Sequence, residues 1–210
     1  MRVAIACVAL CSASMVVGTA AASVLTSFSG GSIAPGTSSY FVSPTMTPAG
    51  SYNVVTLDTL HPSWADFFDH TTGDAAGSFM VVNGGAGVGG GMAWSATVSV
   101  TPGTDYTVSA WFASVYGFAT STLRFVVVGD TTLTGPGFGA PTVTATWAQS
   151  SYTFNTGTST AVSLQIWDIS GLSDGNDYAI DDIALDVVPT PGAAGLLAFG
   201  SVAALRRRRA

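Results

Sequence analysis

The chain has 210 residues, 48% of them apolar and only 9% charged, where an ordinary globular chain carries about 25% charged residues. Its acids are all Asp, twelve of them, its bases are six Arg, and Glu and Lys are missing, for a formal net charge of -6. That balance excludes a basic nucleic-acid binder, and the shortage of Glu and Lys beside 25 Gly argues against a helical bundle and for an all-β domain with many turns.

In chain order, Arg2 is followed by an apolar run from Val3 to Val17 and then by small residues from Thr19 to Ser23. Ala20-x-Ala22 fits signal peptidase, so residues 1–22 read as a signal peptide cleaved after Ala22, and the chain as exported across the inner membrane. Cys7 and Cys11 both lie in this segment, and Leu10 before Cys11 argues against a lipoprotein signal. The mature chain therefore has no cysteine and needs no disulfide.

Residues 23–52 are rich in Ser, Gly, Pro and Thr, with a first strand expected from Val24 to Phe28 and a long loop after it. Residues 53–187 read as one β-sandwich domain. Trp94, Ala96, Val98 and Val100 alternate with Ser95, Thr97, Ser99 and Thr101, and Thr101-Pro102-Gly103-Thr104 is a turn. Tyr106, Val108, Ala110 and Phe112 form the next apolar face; Leu123, Phe125 and Val127 form another, ended by Gly129-Asp130. Trp147 to Phe154, Val162 to Ile166 and Tyr178 to Val187 complete the set. A period of two gives each strand one dry and one wet face, and no stretch of the body keeps a helical period. The fold class expected is all-β: an antiparallel two-sheet jelly-roll sandwich, flanked by the N-terminal signal helix and one C-terminal hydrophobic helix.

Few residues of the body suggest chemistry. Asp181-Asp182 sits between apolar residues of the last strand, where two adjacent acids are costly unless paired or metal-bound, and Arg124 is the only basic side chain between the two ends. Two readings stand. Asp181 and Asp182 ligate a structural Ca²⁺, which takes carboxylates and carbonyls; or one faces solvent while the other accepts backbone N–H bonds at the sheet rim. Asp174-Gly-Asn176-Asp177 lacks the EF-hand pattern.

His61 and His70 share a segment with Asp66, Asp69 and Asp74, but the spacing matches no zinc pattern, so they are expected to bond loop backbone. Gly85-x-Gly87-x-x-Gly90 precedes a strand, not a helix, and reads as a hairpin loop rather than a nucleotide fingerprint. Trp64, Phe67 and Phe68 lie in a Pro/Asp-rich segment, and Tyr116 and Phe118 in a Gly-containing loop. Sugars stack on aromatic faces while Asp and Asn bind hydroxyls, so Trp64, Phe67, Asp69, His70, Tyr116 and Asn176 are the candidate ligand residues. The other reading makes these aromatics core plugs at the sandwich ends. No Gly-x-Ser-x-Gly elbow or mature Cys nucleophile is present, and the chain is expected not to be an enzyme.

The chain closes with Val188-Pro189-Thr190-Pro191, an apolar stretch from Gly192 to Leu205, and Arg206, Arg207, Arg208 and Arg209. At 1.5 Å per residue that stretch spans roughly 21 Å, short of a hydrocarbon core of about 30 Å. Snorkelling arginines and a thinned bilayer permit transient insertion with the arginines cytoplasmic.

Residues 188–210 resemble the PEP-CTERM sorting signal of Gram-negative bacteria: a Pro-x-Pro motif, a short membrane helix and an Arg cluster. Here Thr190 stands where that family usually has Glu. The resemblance implies processing by an exosortase and delivery to the cell surface or extracellular matrix. The body has its own resemblance, carried by His61-Pro62-Ser63-Trp64-x-Asp66-Phe67, by Asp69-His70-Thr71-x-Gly73, by Phe79 to Gly84, by Val98 to Thr104, by Tyr106 to Trp111 and by Gly175 to Ile183. These segments are similar to galactose-binding-type jelly-rolls, which are often carbohydrate-binding modules with a structural calcium. The function expected is that of a non-catalytic surface protein that binds extracellular polysaccharide; the alternative is a structural surface protein with no sugar site, and a hydrolase ranks third. An acidic body should avoid acidic polymers unless Ca²⁺ bridges them, so such binding is expected to depend on calcium.

Overall fold

The computed structural model describes residues 23–57, 60–85, 90–117, 121–171 and 175–189; the signal segment, its Ala20-x-Ala22 site and the tail from Thr190 onward lie outside the described residues. The described residues form eleven strands and no helix. They are β1 (Ser23–Thr26), β2 (Phe41–Val42), β3 (Ser51–Val55), β4 (Phe79–Asn83), β5 (Met92–Ser99), β6 (Asp105–Ser114), β7 (Thr122–Val128), β8 (Thr132–Gly139), β9 (Ala148–Asn155), β10 (Ala161–Asp168) and β11 (Tyr178–Val187).

They build two sheets. The larger runs β2-β3-β4-β11-β6-β9, with β1 also pairing β11; the smaller, four-stranded sheet runs β5-β10-β7-β8. All these pairings are antiparallel except β2 with β3, where Phe41 and Val42 run parallel to Ser51 and Tyr52. β1, β2 and β3 join the larger sheet, so the Ser/Gly/Pro-rich segment supplies strands as well as loop.

The alternating residues read from the sequence face one another between the sheets. Met80, Val108, Phe112, Tyr178 and Ile180 from the larger sheet meet Trp94, Leu123, Phe125, Leu164 and Ile166 from the smaller. Each such side chain contributes about 1.5–3 kcal/mol on burial. Trp94 is fully buried; its indole N–H donates to the Ile33 carbonyl at 3.2 Å. Gly36 makes room for that ring, because a Cβ there would lie 2.0 Å from Trp94 Nε1.

A second cluster lies on the far side of the larger sheet. Phe79, Val81, Ala113, Val115 and Ala179 point away from the sandwich interior, and the β3–β4 connection lays Trp64 and Phe67 on them. This cover leaves the two sheets unequal. The larger has part of its outer face sealed by its own loop, while the smaller keeps a row of half-buried polar side chains outside.

Candidate functional site

Asp181 and Asp182 stand at a break in the β11–β6 ladder. Asp181 pairs Trp111, yet the next pair is Ala184 with Ser109, so β11 carries one extra residue. Such a bulge bends the strand and re-aims its side chains. Asp182 takes it up in the left-handed region, at φ 45°. The bulge grips the β3–β4 loop: Asp181 Oδ2 accepts the His70 N–H at 2.9 Å and its Oδ1 accepts the Asp182 N–H at 2.8 Å. Asp182 Oδ2 lies 2.8 Å from His70 Nδ1 and accepts the Thr71 hydroxyl at 2.6 Å. The His70 ring stacks on Trp111, centroids 3.6 Å apart, and meets Trp147 edge-on.

Asp69 caps the following turn. It accepts the Thr72 hydroxyl at 2.6 Å and the amides of Thr72, Gly73 and Thr71 at 2.9–3.1 Å. Burial alone raises its pKa, but the Thr72 hydroxyl and these three amides outweigh burial and hold it below the usual carboxylate value. Asp181 goes the other way: burial first, then the Asp182 charge, push its carboxyl up to about 7 against the pull of its two amide bonds.

Most of the acid oxygens here are turned toward groups of the chain itself. Ca²⁺ needs oxygen acceptors on every side. Here both oxygens of Asp69, both of Asp181 and Oδ2 of Asp182 are already engaged by groups of the chain, and all but His70 Nδ1, whose role follows its tautomer, are N–H or O–H donors. Among the described residues no group of three or more His, Cys, Asp or Glu could hold a metal ion. Asp181 accepts two backbone N–H bonds while Asp182 meets the His70 ring and the Thr71 hydroxyl, so both acids anchor the β3–β4 loop.

The other candidate residues separate. Trp64 and Phe67 are each 8% exposed and belong to the second core cluster; Phe67 packs on Phe79 and Trp147. Both rings pack within this cluster, the place of the core plugs that the sequence also allowed. Tyr116 and Trp64 share the rim of an open pocket of about 370 Å³ with Ser63, Ala65 and Thr144, so the structure does bring these two together. Phe118 lies outside the described residues. His61 accepts the Ser63 N–H at its Nδ1 at 3.4 Å and its ring tilts against Trp64, a loop-shaping role as expected.

Asn176 is fully buried. Its Nδ2 donates to Asp168 Oδ2 at 3.2 Å, and the same oxygen accepts the Tyr40 hydroxyl at 3.3 Å. Asp168 Oδ1 takes the Ser170 amide at 2.9 Å and its hydroxyl at 2.5 Å. Burial and the Asp168 charge hold the Tyr40 hydroxyl far above its ordinary pKa. This network ties β10 to the Gly-rich loop: a Cβ on Gly84 would lie 2.1 Å from Asn176 Nδ2 and one on Gly90 would lie 1.7 Å from the Asp168 carbonyl oxygen. Gly84 and Gly90 thus allow this close packing.

The face that sequence reasoning passed over is the outside of the four-stranded sheet. Ile166 and Asp168 point in, so Trp167 points out, beside Gln165 and Ser163 on alternate positions of β10. The Trp167 indole N–H donates to Gln165 Oε1 at 2.7 Å; Gln165 Nε2 donates to Ser163 Oγ at 3.3 Å; Ser163 Oγ lies 3.0 Å from Ser95 Oγ on β5. The chain has five tryptophans, and four of them are accounted for by the core or by ring contacts. Trp167 is the one left on an outer sheet face. The signal was available: a tryptophan on the wet phase of an alternating strand.

No protein-family model matches the chain, and no curated protein matches it in sequence. Solved structures do match. The xylan-binding domain CBM22-1 from Paenibacillus barcinonensis Xyn10C superposes with a TM-score of 0.54 at 14% identity, over 82% of this chain and 99% of that one. The tandem CBM22-1-CBM22-2 domain from the same protein gives 0.54 at 13% identity, over 80% of this chain and 47% of that one, so this chain spans about half of the pair. At such identity the likeness shows the fold alone: a β-sandwich of the kind used by carbohydrate-binding modules.

Proposed function

We propose that this is an exported, surface-sorted protein whose non-catalytic β-sandwich binds extracellular polysaccharide on the outside of the four-stranded sheet, around Trp167. The observation that carries the reading is the hydrogen-bonded row Trp167–Gln165–Ser163–Ser95. It pairs one fixed aromatic body with several hydroxyl and amide groups, the division of labour a sugar site needs. The fold it shares with a xylan-binding domain agrees with that use. Export and sorting rest on the sequence of residues 1–22 and 188–210: the Ala20-x-Ala22 site for signal peptidase and the Pro189-to-Arg209 tail for an exosortase. The tail would hold the precursor at the inner membrane only until processing.

Affinity electrophoresis through gels containing xylan, galactan or the host's extracellular polysaccharide tests the binding claim. Retardation by at least one polymer is the expected result. A folded sample that none of them retards would sink the reading and favour a structural surface protein. Mass spectrometry of the protein recovered from the host tests the sorting claim, with a C-terminus near Pro189 to Pro191 expected and an intact Arg206 to Arg209 end contradicting it.

A further inference from the structure

The one cation of the body lies on the same face. Arg124 on β7 sits directly opposite Trp167 on β10 in the antiparallel ladder. Its neighbours Leu123 and Phe125 are buried in the core, so Arg124 is on the outer side, half-buried. Among the described residues its guanidinium has no ion pair and no hydrogen bond, and its Nε is buried without a partner. A buried donor left unmade is costly, and an arginine without an acid is unusual in a chain with twelve Asp.

The acids are elsewhere. β5, β7 and β8 contain no Asp, and the single Asp of β10, Asp168, points inward and is fully buried. The outer face of this sheet thus carries positive charge on an otherwise acidic domain. That removes the objection that the net charge alone would raise against an acidic polymer, since repulsion is screened within about 10 Å at ordinary ionic strength while a contact pair is local.

We infer that this face takes acidic polysaccharide, with the Arg124 guanidinium holding the carboxylate of a uronic-acid residue whose ring lies at Trp167 and whose hydroxyls reach Gln165, Ser163 and Ser95. Arginine suits the part because its planar fork binds a carboxylate through two parallel N–H bonds. The specificity rests on the reading of this face as a polysaccharide site. It needs no calcium, in contrast to the sequence expectation that a metal must bridge an acidic body and an acidic polymer.

The test is the affinity of the full chain for polygalacturonate and alginate, each against its neutral methyl ester, with and without chelator. The acid forms are expected to bind about tenfold tighter, as a charge-assisted bond would give. Chelator is expected to change nothing, and the preference to shrink as salt rises. Arg124→Gln is expected to bind acid and ester alike, and Arg124→Lys to keep part of the preference. Thermal melts of both variants establish that they fold. Equal binding of acid and ester by the unaltered chain, or a preference that survives Arg124→Gln, overturns the inference and leaves the face as a neutral-sugar site. Retention of no polymer, acid, ester or neutral, overturns the polysaccharide reading itself.

Discussion

The Nδ1 of His70 lies 2.8 Å from Oδ2 of Asp182, a contact that joins residues 112 apart in sequence. It closes the β3–β4 loop over the larger sheet, with the imidazole stacked on Trp111. The acids at the bulge therefore turn their oxygens to groups of the chain itself.

His70→Ala is expected to lower stability by about 1–3 kcal/mol, because the stack and the Asp182 contact go together. A double-mutant cycle of His70→Ala with Asp182→Ala should return a coupling of about 1 kcal/mol in denaturant unfolding, modest because both groups are part-exposed. Limited proteolysis should cut His70→Ala between residues 60 and 78 faster than the unaltered chain. Additive single effects would contradict the pairing.

Stability should depend on pH through Asp181. The folded chain keeps a proton on this carboxyl up to about 7, whereas the unfolded chain releases it near 3.8. Stability therefore falls as pH rises from about 4 to about 7, by at most roughly 1.4 kcal/mol per pH unit, and levels off above. Asp69, whose folded pKa is lowered, acts the other way and lower down: its contribution is complete above 3.8 and is lost as pH falls through its folded value. Asp181→Asn should flatten the slope between pH 4 and 7. An unchanged slope would show that another group titrates there.

Trp64→Ala and Phe67→Ala should each cost about 3–5 kcal/mol, the usual range for a large aromatic removed from a core. Where the variants still fold, polysaccharide retention should be unchanged. Lost retention with an intact melt would return these residues to the ligand site.

Asp168→Ala should be among the most damaging single changes. It strands the donors of Asn176 and Tyr40 in a buried site, at about 1–3 kcal/mol for each left unpaired, and also frees those of part-buried Ser170. Asp168→Asn keeps the shape and one acceptor oxygen and should cost less. A mild Asp168→Ala would mean that the network is dispensable.

The strand pattern was legible because burial imposes it. Val108 and Phe112, Leu123 and Phe125, and Leu164 and Ile166 alternate with polar residues in the sequence and face one another in the core. The final strand was read with its observed bounds, Tyr178–Val187. Asp181 and Asp182 were legible as exceptional, since adjacent acids in a buried strand demand partners. Their partners were not, because a bulge and a folded-back loop decide which backbone and side-chain groups arrive, and neither leaves a periodic trace. Trp64 and Phe67 were ambiguous for a similar reason: an aromatic in a loop serves a ligand or a core according to where the loop folds. Trp167 was passed over because a tryptophan in a strand reads as core unless its phase against Leu164 and Ile166 is followed.

The most direct measurement compares the unaltered chain with Trp167→Ala and Gln165→Ala by affinity electrophoresis, with Trp111→Ala as the control from the other sheet. The account predicts that Trp167→Ala loses retention by about tenfold or more, that Gln165→Ala weakens it less, and that a folded Trp111→Ala keeps it. Full retention by a folded Trp167→Ala would contradict the placement of the site on the four-stranded sheet.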